Sequence, residues 1–373
     1  MELPGTVVGA EPDLLLVVAG MRRRVRGLYL HATHRVDRVP GSATEAVPVA
    51  IQPVEVTDNR EEPEVEDRGV TTPVAVAATV IAVWQVRGRR RQRALDWSRS
   101  SATAHTAGLH VRRLGESGPV VLLLHGLAAS GGYWGASYDG LGAVSRLAIP
   151  DLLGFGASPR PAQGYGPDEH VDAILDCLNQ LGLGGEPLII GAHSLGVLVA
   201  LRLADRRPGL VLGIAGFGPP VYPDRSTARQ HLGRLGVMAQ LSTVDEQVAH
   251  ALCAWVCAHR RAAGVLARVL MPALPGPIAA AGVDHSWPSF SETLERVILS
   301  GEAQAWIDGI TTPVEFVIGA DDRAMDVPYL QELAASHSNL NLRIWPETGH
   351  DLPLTRSVDA VDVLFALINA TDR

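Results

Sequence analysis

The sequence predicts an α/β protein built on a doubly wound, mostly parallel sheet, with an inserted helical cap and a low-order N-terminal tail. Short runs that are apolar at every position, such as Val120–Leu124 and Leu188–Ile190, have the pattern of strands covered on both faces. From about residue 107 these runs alternate with helical periodicity, which implies right-handed crossovers between parallel strands. The alternation lapses between about residues 222 and 310, where only helical patterning continues, and then resumes. The expected organisation is a tail over 1–69, a candidate membrane segment with an arginine-rich flank over 70–93, and a domain over 107–373 that carries the insertion.

A chain of 373 residues suits one large α/β domain with an insertion and a tail. Its net charge of −8 argues against a nucleic-acid partner, which would call for a basic stripe. All basic residues are arginine, a compositional bias from which no function follows. Cys177, Cys253 and Cys257 are too few for a disulfide framework. Cys253 and Cys257 lie one helical turn apart and read as small apolar residues on a helix, because no further ligands stand close enough in sequence for zinc.

In the tail, an apolar patch at Leu14–Ala19 precedes an arginine cluster at Arg22–Arg26, and the acidic stretch ending at Asp67 lacks sustained periodicity. His31 and His34 have no carboxylate partner and read as incidental. Val70–Val86 contains no charged residue and is followed by Arg87 and Arg89–Arg91, so it is a short candidate membrane span. Arginines on its C-terminal side predict a cytoplasmic location for the following domain.

Within the domain, His110–Leu114 reads as an edge strand, and Val120–Leu124 as a buried strand ending at His125-Gly126. Arg146–Pro150 is a further strand leading into D-L-L-G-F-G-A-S at Asp151–Ser158. That string lacks the third glycine and the lysine of a nucleotide loop. Asp168 is placed to cap a helix with Val171, Ile174, Leu175, Leu178 and Leu181 on one face. Leu188 then starts a run that stops at Ser194 and turns into helix-like sequence to about Asp205, and Leu210–Ala215 is the next strand. In the insertion, Val248, Leu252, Trp255 and Val256 share a helical face, Pro272–Pro277 breaks the pattern, and a helix recurs near Phe290–Leu299. Trp255, Trp287, Phe290 and Trp306 read as packing residues before pocket residues. Strands over Pro313–Ile318 and Leu340–Trp345 and a helix begun by Ser357 close the chain.

The chemistry concentrates at the ends of those strands. A strand that turns sharply into a helix projects its turn residue above the sheet and needs small neighbours, here Ala192 and Gly196 around Ser194. A serine hydroxyl becomes a nucleophile when a neutral histidine takes its proton and a carboxylate fixes the histidine tautomer. His350 follows one strand end, and Asp321, Asp322 and Asp326 follow another, all on the rim where open parallel sheets bind ligands.

Taken together, L-L-L-H-G at Leu122–Gly126, D-L-L-G-F-G-A-S, A-H-S-L-G at Ala192–Gly196, G-A-D-D at Gly319–Asp322 and T-G-H at Thr348–His350 resemble the α/β-hydrolases, specifically the serine-nucleophile branch with a helical cap. The resemblance runs from Leu109 to Asn369 and departs from the usual pattern in Ala192, where a glycine is common. It implies Ser194 as nucleophile, His350 as base and Asp322 as acid, with an oxyanion hole from the backbone N–H groups of Leu127 and Leu195. It makes His125 an organiser of its loop. The implied reaction is cofactor-free and metal-free cleavage of a carboxylic ester, thioester or lactone in a small acyl substrate. Two alternatives stand beside it: carbon–carbon bond hydrolysis or perhydrolysis on the same residues, and a non-catalytic binding protein that keeps the fold. Asp351 after the histidine, where the carbon-bond branch commonly has tryptophan, weighs against the former.

Overall fold

A computed structural model describes residues 71–93, 95, 97–235 and 246–371. The expected tail over 1–69, with its Leu14–Ala19 patch and the two histidines, lies outside them. The first described element is α1 (Thr71–Arg93). Eight strands follow within one sheet: β1 (Ala104–Ala107), β2 (Leu109–Leu114), β3 (Val120–Leu124), β4 (Arg146–Pro150), β5 (Leu188–His193), β6 (Val211–Phe217), β7 (Val314–Gly319) and β8 (Leu340–Trp345). The spatial order is β1-β2-β4-β3-β5-β6-β7-β8. Pairings from β4 through β8 are parallel, and only β1 with β2 and β2 with β4 are antiparallel.

Strand β3 shows why the sheet takes helices on both faces. Val120, Leu122 and Leu124 enter one buried cluster with Ile190 and Leu198, while Val121 and Leu123 enter the other with Trp134, Tyr138 and Leu364. All five side chains are buried. Each contributes about 1.5–3 kcal/mol of apolar transfer, so neither face of β3 tolerates water. The first face is covered by α2 (Pro167–Gln180) and α3 (Leu195–Arg206), whose buried apolar side chains belong to that cluster.

Between β6 and β7 the described chain is helical, as the sequence pattern implies. It contains α4 (Arg225–Leu232), α5 (Glu246–Ala258), α6 (Arg260–Leu270), α7 (Gly276–Ala281), α8 (Trp287–Thr293), a π-helical turn at Leu294–Ile298 and α9 (Ala303–Gly309). The last of these packs on α3, and Trp306 is buried in the core beneath Arg202. Then α10 (Val327–Ser336) links β7 to β8, and α11 (Leu352–Thr355) and α12 (Ser357–Thr371) end the described chain.

Four expectations are corrected. The sheet begins at Ala104, ahead of residue 107, with the polar edge strand β1. Asp168 does not cap α2, since Gly166 is the cap residue and Pro167 opens the helix. Its carboxylate instead meets Arg202 at 2.9 Å and Arg206 at 3.5 Å. On α5 the buried positions include Ala249 and Cys253, whereas Trp255 is exposed, so small residues make the inward face. Finally, the described part of the Val70–Val86 candidate, residues 71–86, does not have the character of a membrane span. No helix among the described residues is long and apolar enough to cross a membrane, because Thr72, Pro73, Thr79 and Gln85 dilute the apolar run of α1 before Arg87 ends it.

Candidate active site

The chain passes from β3 to β4 on one side and then returns to place β5 on the other side of β3. Connections therefore leave the carboxyl ends of β3 and β5 in opposite directions and open a crevice there. Ser194 follows β5 at that crevice, and the His125-Gly126-Leu127 loop follows β3.

Ser194 has φ 52° and ψ −119°, a left-handed backbone that L-residues adopt only under constraint. The constraint comes from close packing on both sides. A Cβ at Gly196 would lie 2.6 Å from the Leu124 carbonyl oxygen, so α3 can start against the end of β3 only with glycine there. A Cβ at Gly126 would lie 3.2 Å from the Ser194 Cβ, which sets how near the β3 loop approaches the serine. Ala192 is accommodated because its partner on β6 is Gly216.

His350 and Asp322 complete the group. The His350 Nε2 stands 3.2 Å from the Ser194 Oγ, and its Nδ1 stands 2.8 Å from the Asp322 Oδ2. The second carboxylate oxygen of Asp322 accepts the Ala324 N–H at 3.0 Å, and the side chain is fully buried. Asp321 is exposed, and Asp326 caps α10 through the Tyr329 N–H. Of the three candidate aspartates, Asp322 therefore meets the histidine. The two loops are locked together: Asp321 N–H donates to the Thr348 carbonyl at 2.9 Å, and a Cβ at Gly319 would collide with that same carbonyl.

Burial opposes a positive charge on His350, but the hydrogen bond and the charge of Asp322 outweigh it, and the pKa is raised. His125 and His193 are also buried, and burial lowers both, His193 well below the ordinary histidine value. The His125 Nε2 accepts the Leu152 N–H at 2.8 Å while Nδ1 donates to the Gly126 carbonyl at 2.8 Å, which fixes the loop bearing Leu127. Ala128 in that loop has φ 51°. Leu195 opens α3, where a backbone N–H has no intrahelical acceptor and the helix dipole favours negative charge.

Sequence reasoning missed several supporting residues. His193 does more than adjoin the serine, because its Nε2 donates to the His350 carbonyl at 3.1 Å and its ring stacks on Tyr133 at 4.7 Å. The Tyr133 hydroxyl donates to the Asp351 carboxylate at 3.4 Å. Burial pushes the Asp351 pKa up, with the charge of His350 acting against it. Gly218, at φ 59°, lets the end of β6 pass His350, from whose ring a Cβ would be 3.2 Å away. Of these residues only His193 belongs to a quoted motif, which does not disclose its contacts, and only the glycine at a strand end gave a local signal. Asp151 accounts for the D-L-L-G-F-G string without phosphate, since its carboxylate accepts the Gly131 and Ala157 N–H groups at 2.7 Å.

A model of the alpha/beta hydrolase family matches residues 121–363, a span that runs from β3 into α12 and includes every residue of this site. The chain belongs to that family. Among curated relatives, a probable lysophospholipase of Arabidopsis thaliana, BODYGUARD 3, is 33% identical over 171 residues, 40% of this chain and 34% of the relative. Lipase LipV of Mycobacterium tuberculosis is 38% identical over 33% of this chain and 46% of its own length. A haloalkane dehalogenase of Mesorhizobium japonicum is 38% identical over 27% of this chain and 32% of its own length. The chain thus spans less than half the length of these relatives. A crystal structure of E-2-(acetamidomethylene)succinate hydrolase has the same fold, with a TM-score of 0.57 at 18% identity over 72% of this chain and 99% of that one.

Proposed function

We propose that this hydrolase cleaves a carboxylic ester, or a thioester or lactone, through an acyl-enzyme on Ser194. The observation that carries the reading is the continuous relay from the Ser194 Oγ through the His350 ring to the Asp322 carboxylate, at 3.2 and 2.8 Å. His350 Nε2 takes the hydroxyl proton as Oγ attacks the substrate carbonyl, while Asp322 holds Nδ1 as the donor and stabilises the imidazolium. The tetrahedral oxyanion lies against the N–H groups of Leu127 and Leu195, where each donor contributes about 3–4 kcal/mol to the transition state. The Nε2 proton then passes to the leaving alkoxide, which departs as an alcohol. Water attacks the acyl-enzyme by the reverse sequence and releases the acid.

Among the relatives, the lysophospholipase and lipase names agree with ester cleavage. The dehalogenase likeness does not extend to mechanism, because displacement of a halide through an alkyl-enzyme ester requires a carboxylate where this chain has Ser194. The test is hydrolysis of an activated aryl ester by the full chain. Steady turnover by the wild type and its loss in Ser194→Ala support the reading, and equal turnover by both overturns it.

A further inference from the structure

Helix α6 is amphipathic in an unusual sense. Its buried face is made by Ala263 and Gly264, and its large apolar residues face outward: Val265 is 61% exposed, Leu266 44%, Val269 51% and Leu270 51%. These recur at i, i+1, i+4 and i+5, so they form one stripe along the helix. The stripe is extended by a segment far away in sequence. Gln85 of α1 donates to the Val269 carbonyl, and Gly88 lies so close to Pro272 that a side chain there would collide with it. The contact sets α1 beside the C-terminal end of α6, with Trp84 and Val86 exposed. Single exposed apolar residues need no explanation, but a joint surface from two elements does.

Charge indicates the occupant. Beyond Val86, α1 carries Arg89, Arg90, Arg91 and Arg93, all exposed, and α6 adds exposed Arg261 and Arg268 at the edge of its stripe. An apolar face rimmed by one sign of charge suits an anionic lipid surface, where the arginines reach phosphate and the apolar residues enter the acyl boundary. A second copy would bring arginine against arginine. We propose that α6 and α1 form an interfacial docking face on which the protein lies in the plane of an anionic membrane, without crossing it. The face is near the site: α6 packs on α7, and Gly282 at the end of α7 stands against the carbonyl of Ala128 in the oxyanion loop. The proposal concerns binding and is independent of the reaction on Ser194.

The test is co-sedimentation of the full chain with vesicles of equal parts phosphatidylcholine and phosphatidylglycerol, against vesicles of phosphatidylcholine alone. The expected result is binding to the anionic vesicles at least about tenfold stronger than to the neutral ones. Leu266→Glu/Leu270→Glu should lower that binding at least about tenfold, and Arg261→Gln/Arg268→Gln about tenfold, with Tm unchanged because all four positions are exposed. Ser194→Ala should bind as the wild type does. Protein left in the supernatant, equal binding to both vesicle types, or undiminished binding of both double variants overturns the proposal. So does a shift from dimer to monomer in Leu266→Glu/Leu270→Glu without vesicle binding by the wild type, which would assign the face to a second copy.

Discussion

His193, at the end of β5, is a buried imidazole, and His350, in the loop after β8, is a half-buried one with 17% of its side chain exposed; their ring centroids are 5.0 Å apart. Burial opposes a charge on each. On His193 the nearby His350 adds to that opposition and the hydrogen bond to the His350 carbonyl offsets only part of it, so the pKa falls well below the ordinary histidine value and the ring serves as a hydrogen-bonding strut for that carbonyl. On His350 the Asp322 carboxylate reverses the balance and the pKa is raised. In the proposed mechanism the difference between a strut and a base is thus one carboxylate placed 2.8 Å from Nδ1. The ring within hydrogen-bond distance of the Ser194 Oγ is His350, 156 positions away, and sequence proximity alone would have pointed to His193.

Replacing each ring in turn should break the symmetry between them. The largest expected effect is from His350→Gln, which removes the base and should lower kcat on an aryl ester by a factor on the order of 10⁶ in steady-state assays. Asp322→Asn should cost on the order of 10⁴ in kcat, because the wrong His350 tautomer is then favoured. It should also move the pH profile in a defined direction. The base acts when neutral, so the wild-type rate rises with pH through a His350 pKa raised above the ordinary histidine value. Without the carboxylate, burial remains as the dominant influence, and the residual activity should rise through a lower midpoint. Asp321→Asn should leave rate and midpoint near wild type, since that side chain is exposed and Asp322 is the carboxylate that meets the His350 ring.

The smallest effect should come from His193→Phe, which keeps an aromatic ring against Tyr133 and deletes the N–H to the His350 carbonyl. A loss of about 1 kcal/mol in stability, read as a lower Tm, and a fall in kcat within about tenfold are expected. The midpoint of the pH profile should stay in place. A loss as large as that of His350→Gln would mean that His193 takes part in proton transfer.

The same contrast separates what was legible in the sequence from what was not. Val120–Leu124 and Arg146–Pro150 were readable to the residue because strands buried inside a mostly parallel sheet leave apolar runs with sharp ends, whereas Leu340–Trp345, the strand at the sheet's far edge, showed itself by the alternation of Leu340, Leu342 and Ile344 with polar residues. Ser194, His350 and the aspartate loop were readable because each follows such an end. The choice of Asp322 over Asp321 came from family spacing, and its physical basis is the contact of Gly319 with Thr348, which sequence does not display. Edge strand β1 was missed because His105 and Thr106 are exposed and lack apolar alternation. The inward face of α5 was misread because Ala249 and Cys253 pack closely there, whereas periodicity weights large residues such as Trp255. The supports from Tyr133, His193 and Asp351 join segments more than 50 positions apart, with His193 Nε2 and the Tyr133 hydroxyl separated by 60 residues of chain and Tyr133 and Asp351 by 218.

The most direct test of the account is the intact mass of enzyme quenched in acid during turnover of an aryl ester, followed by peptide mapping. A transient population heavier by one acyl group is expected, with the increment on the peptide containing Ser194, and it should persist in a variant slowed in deacylation. Turnover with no acylated enzyme at any time, or acylation at another residue that survives Ser194→Ala together with activity, would contradict it.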